Sequence, residues 1–151
     1  MMPGRRRRSY IYRGNKDKYS VESKSFNVNP AAGIQSEVDI VPSTTLEGMR
    51  KVKHIEVSMS SNSTTDVLYW ALVYVPSGTD ASLMSQSGSL YEPSQFVLCC
   101  GVLDFTAGPN RIRSPVSRNL NQGDSIRLLL LRGGAADMNL IGVVRYAITL
   151  Q

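Results

Sequence analysis

Four consecutive arginines, Arg5, Arg6, Arg7 and Arg8, are the residues best placed to do chemistry of their own. Guanidinium groups are planar, permanently charged and matched to phosphate oxygens in a two-pronged contact. Arg13, Lys16 and Lys18 extend the run, and Tyr10, Tyr12 and Tyr19 are interleaved with it. Aromatic rings on a basic segment stack on unpaired bases, which favours single strands over duplex. The set Arg5 to Arg8, Tyr10, Tyr12, Arg13, Lys16 and Lys18 is therefore expected to contact single-stranded nucleic acid. A run of four arginines also has the composition of a nuclear import signal, so an import receptor is a second candidate partner.

The distribution of charge sharpens this reading. Residues 1–18 hold seven Lys and Arg against one Asp, a net of +6. The remaining residues hold ten against eleven, a net of −1, so the whole positive excess lies in the first segment. Adjacent like charges cannot be desolvated into a core. Residues 1–18 are thus expected to form a basic arm, disordered until a polyanion meets it, and residues 19–151 one folded domain.

Other reactive residues are few. His54 is the one histidine, and alternation along its segment points it outward. Cys99 and Cys100 are neighbours, a spacing that strains a disulfide; on a strand they point to opposite faces, at least one into the core. Zinc needs converging ligands, and these three residues have no spacing that brings them together. Asp66, Asp80 and Glu92 are oxygen ligands beside loops, but their spacing matches no calcium site. There is no nucleophile elbow, phosphate loop or dinucleotide fingerprint. Neither an enzyme, a metal nor a cofactor is expected. No run of about 18 apolar residues exists, so no membrane-spanning helix is expected. The charged start is not followed by an apolar stretch, so a secretory leader is not expected either.

The elements that must carry these residues are strands. Hydrophobic residues make up 42% and charged residues 19%, the balance of a globular domain. In 34–41, Ile34, Val38 and Ile40 alternate with Glu37 and Asp39. From Lys51 onward, Lys53, Ile55, Val57 and Met59 are expected on one face, with His54, Glu56 and Ser58 on the other. Residues 66–75 form an almost unbroken apolar run, expected to be buried on both faces, and 125–132 a further buried strand. Of Tyr69 and Trp70, one is read as core and the other as core or subunit contact. Residues 96–105 and 138–150 are further strands, and 111–118 alternates around Pro115. The segment 77–94 is polar, with one helical turn expected over 80–85. About eight strands separated by Gly, Pro and Asn turns, with no helical period, point to an all-β sandwich of jelly-roll type. Arg111, Arg113 and Arg118 are candidates for a second basic patch.

The order of features resembles the capsid proteins of small circular single-stranded DNA viruses, and more loosely other small plus-strand or satellite capsids. The matching stretches are Met2-Pro3-Gly4 leading into Arg5 to Arg8, the run Val116-Ser117-Arg118-Asn119-Leu120-Asn121-Gln122-Gly123-Asp124-Ser125-Ile126, and the ending Val143-Val144-Arg145-Tyr146-Ala147-Ile148. The resemblance implies a single eight-stranded jelly roll that self-assembles into an icosahedral shell of about 60 copies. It further implies arms turned inward onto a packaged genome, DNA more readily than RNA, and a location in the virion and in the host nucleus during assembly. A small non-viral chaperone for single strands, built on a β-barrel, is the alternative; it would need a basic stripe on the folded body as well.

Overall fold

The computed structural model describes residues 19–31, 35–62, 67–78, 97–106, 108–132 and 138–150. The basic arm, Ile34, Asp66, Asp80, Glu92 and the helical turn expected over 80–85 lie outside these residues.

Nine strands follow in chain order: β1 (Ser20–Val28), β2 (Ser36–Val41), β3 (Arg50–Ser61), β4 (Val67–Val75), β5 (Val97–Asp104), β6 (Asn110–Ser114), β7 (Arg118–Leu120), β8 (Ser125–Arg132) and β9 (Leu140–Leu150). They form two antiparallel sheets, ordered β1-β9-β3-β6, with β7 also on β3, and β2-β8-β4-β5. The chain changes sheet at every connection except β4–β5 and β6–β7. β6 and β7 lie end to end along β3, pairing Met59 to Ile55 and then Val52 to Arg50. Pro115 stands in the gap between them, where a missing N–H interrupts the ladder. Counted as one broken strand, they leave eight strands in the jelly-roll order.

The main core lies between the sheets and includes Ile40, Val57, Leu68, Leu72, Leu128 and Leu140. A second apolar cluster, Ala71, Val73, Val75, Leu129 and Leu131, lies on the other face of β4 and β8. Both faces of these two strands are therefore buried, as their continuous apolar runs require. Trp70 belongs to the main core, whereas Tyr69 points out and is 37% exposed.

One alternation differs from expectation. Val52, Ile55, Val57 and Met59 are buried, but Lys53 faces outward with Glu56 and Ser58. Between Lys53 and Glu56 the pairing with β9 shifts, so that three steps on β3 match two on β9. His54 occupies this bulge at φ 55°, a left-handed conformation. One inserted residue moves the side chains before it to the opposite face.

Gly142 fixes how closely β1 and β3 approach β9. A Cβ there would stand 2.5 Å from the Phe26 ring and 2.6 Å from the Ser58 carbonyl oxygen.

Candidate polyanion interface

Arg111 and Arg113 sit two residues apart on β6, so both project from the outer face of the first sheet. Across the ladder they meet Ser58 and Glu56. One Glu56 carboxylate oxygen lies 3.2 Å from Arg111 Nε; the other lies 3.5 Å from Arg113 Nε and 3.8 Å from an Arg145 Nη. Arg145 arrives from β9, where it pairs with Glu56. On β3, Lys51 and Lys53 project from the same face, opposite Thr149 and Ala147. The Lys53 ammonium stands 3.7 Å from the centre of the Tyr19 ring, a cation–π contact. Five cations and one carboxylate thus occupy the strand positions of this face. Arg111 and Arg113 were legible from their alternation. Arg145, Lys51 and Lys53 were not, because the pairing of β9 with β3 joins residues far apart in sequence.

Arg118 is not part of this group. It pairs with Val52 on β7, and its guanidinium stacks 4.2 Å from the centre of the Tyr74 ring. There it flanks a polar cluster at one end of the sandwich, centred on Asp124. The Asp124 carboxylate accepts hydrogen bonds from the Tyr74 hydroxyl at 2.6 Å and from the Ser77 and Asn121 backbone N–H groups, both at 2.9 Å. Arg50 donates to the Asp124 carbonyl at 3.1 Å and to the Pro42 carbonyl at 3.0 Å. The Gly123 N–H donates to the Thr44 carbonyl, and the Gln122 amide to the Thr45 carbonyl. Burial pushes the Asp124 carboxyl up, but these donors and the Arg118 charge outweigh it and hold the group below its ordinary value. Burial, then the hydrogen bond to Asp124, push the Tyr74 phenol up. The geometry makes this a tie between β4, β8 and the β2–β3 loop.

The outer face of the second sheet has the opposite balance. Among the described residues, Glu37, Asp39 and Asp104 stand there against Arg127 alone. Arg127 donates to Glu37 at 2.9 Å, and its Nε lies 3.2 Å from Asp39, at an angle too poor for a hydrogen bond.

The remaining reactive residues do not converge. His54 is exposed at its bulge. Cys99 packs against the core and burial pushes its thiol up, while Cys100 is exposed on the other face; both are free thiols. Among the described residues no three metal-binding side chains group together, and no helix is long and apolar enough to cross a membrane.

No family model matches the chain, and no curated protein matches it. Solved structures do. A structure of infectious bursal disease virus, Gx strain, aligns over 88% of this chain and 32% of its own at 10% identity, with a TM-score of 0.43. The chain thus spans about a third of the length of that neighbour. The capsid asymmetric unit of cyanophage Pam1 aligns over 86% of this chain and 83% of its own at 14% identity, with a TM-score of 0.32.

Proposed function

We propose that this chain is a shell-forming capsid protein that packages single-stranded nucleic acid through its N-terminal arm. The observation that carries the reading is the union of a jelly roll of near-neutral charge with a +6 segment of 18 residues. The double sheet is one of the ways β proteins limit exposed edges, and in this reading copies pack by the sides and ends of the sandwich rather than by pairing its edge strands β1, β2, β5 and β6. A neutral body contributes packing against copies of itself, and the arm contributes the attraction to phosphate. Arg5 to Arg8, Arg13, Lys16 and Lys18 are the phosphate-binding residues of this reading, and Tyr10 and Tyr12 its stacking residues. DNA is the favoured cargo and about 60 copies the favoured shell, the smallest closed icosahedral assembly. The arginine run also suits import into the nucleus as the site of assembly.

Expression of the full chain followed by negative-stain microscopy tests the assembly. Closed particles of one size, with nuclease-protected nucleic acid inside, are expected. A protein that stays monomeric at high concentration in moderate salt overturns the capsid reading. If that monomer still binds single strands, the chaperone reading replaces it.

A further inference from the structure

We infer that the outer face of the β1-β9-β3-β6 sheet is a second phosphate-binding surface, formed by Lys51, Lys53, Arg111, Arg113 and Arg145. The inference rests on the claim, common to the capsid reading and the chaperone alternative, that the partner is a nucleic acid; a basic face on the body is what that alternative also requires. Three observations carry it.

The first is an unbalanced charge. Glu56 is the one carboxylate at the strand positions of this face, and it is shared by three guanidiniums. Two carboxylate oxygens cannot occupy all the donors of three guanidiniums. The side chains of Arg111, Arg113 and Arg145 are 56%, 68% and 63% exposed, against 20% for Glu56. The arginines are thus gathered by a half-buried anchor while their ends reach solvent. The second observation is the contrast with the other sheet, where Arg127 is held between two carboxylates and negative charge is in excess. The body has one face that attracts a polyanion and one that repels it. The third is continuity with the arm. The arm joins the fold at Tyr19, and Tyr19 lies against Lys53 on this face. A phosphate chain gripped by the arm is thereby led onto Lys53 and its neighbours. The strand positions beside the five cations present Ser23, Ser25, Ser58 and Asn119, with exposed Val21 and Val143 among them, and the Tyr19 ring at the edge is already taken by Lys53. Such a surface contacts the backbone and does not read base sequence.

The test uses the full chain and a fluorescent oligothymidylate of about 20 nucleotides, with binding followed by anisotropy over a range of salt. Four proteins are compared: the unaltered chain, an arm variant with Arg5 to Arg8 changed to Gln, a face variant (Lys53→Gln, Arg113→Gln and Arg145→Gln together), and the opposite-face control Arg127→Gln. Circular dichroism confirms that each is folded. The face variant should bind more weakly, with a log–log salt slope shallower by about 2, since each phosphate left without its cation lowers the slope by roughly 0.7. The arm variant should keep a residual salt-dependent binding, and R127Q should match the unaltered chain. A face variant with an unchanged slope overturns the inference, and so does an equal loss in R127Q. Loss of binding to phosphatidylserine vesicles with unchanged binding to DNA overturns it in favour of a lipid partner. Particle formation is scored separately. Particles with an unchanged slope sink this inference and leave the shell standing; a reduced slope without particles does the reverse.

Discussion

Asp124 ties the end of β4 to the turn that leads into β8. It is 4% exposed and accepts three hydrogen bonds, two from the end of β4 and the turn after it (Tyr74 and Ser77) and one from Asn121 in its own turn. Asp124→Asn keeps the shape but turns an amide NH2 toward N–H donors, so about 2–3 kcal/mol of stability should be lost in urea unfolding. The pH dependence has a defined sign. A carboxyl held below its ordinary value of 3.8 stabilises the folded state above that pH, and the stabilisation is lost as pH falls through the folded value. Urea midpoints measured downward from pH 5 should fall in the unaltered chain and fall less in D124N. At the alkaline end Tyr146 acts in the opposite sense. It donates to Glu22 at 3.1 Å, and burial, then the Glu22 charge, push its phenol up to about 12. Its share of stability is complete below pH 10 and is lost as pH rises toward 12. Tyr146→Phe should remove that alkaline loss, seen as a flatter midpoint between those two values.

At the scale of strands, the bulge in β3 is the feature with the sharpest consequence. His54 holds a left-handed φ of 55° in an exposed position. A side chain there strains the backbone by about 1–2 kcal/mol, part of which glycine's extra freedom in the unfolded chain takes back. His54→Gly should therefore raise the urea midpoint by a net of about 0.5–1 kcal/mol. Gly142→Ala should do the reverse and cost about 2 kcal/mol or more, because its methyl meets the Phe26 ring and the Ser58 carbonyl at once. These two sites also mark what the chain's pattern conveys. β4 and β8 were readable because an apolar run of that length has to be buried. β2 was readable from Val38 and Ile40 alternating with Glu37 and Asp39. The phase of Lys53 was not, since no Gly or Pro announces the bulge at His54. The break between β6 and β7 was readable at Pro115, but that both halves lie on β3 is a matter of topology.

For the whole molecule, the two sheets differ in the charge they show to solvent. The candidate interface was half legible for that reason: Arg111 and Arg113 declare themselves on one strand, whereas Arg118 lies an odd five positions beyond Arg113, past Pro115, and turns away to Tyr74. Only the sheet order reveals that Arg145 and the two lysines join them. Under the proposed function, a subunit with opposite outer faces cannot sit on a polyanion either way up, so every copy bound to one genome should present the same face to it. Raising salt above physiological strength should then release nucleic acid before it separates subunits held by apolar contacts. Sedimentation of particles across a salt series would show empty shells as the first product, and subunits appearing before empty shells would contradict it.

If copies of the chain assemble as proposed, β8 offers a direct measure of what assembly adds. It is flanked on both sides, by β2 and β4, and seven of its eight residues are buried. Amide hydrogens in such a strand exchange with solvent only when the whole sandwich opens. Their exchange rate in native buffer therefore reports the global unfolding free energy, with no denaturant and no extrapolation. Whatever neighbours and bound nucleic acid contribute to a subunit would appear as further slowing of the same few amides in the particle.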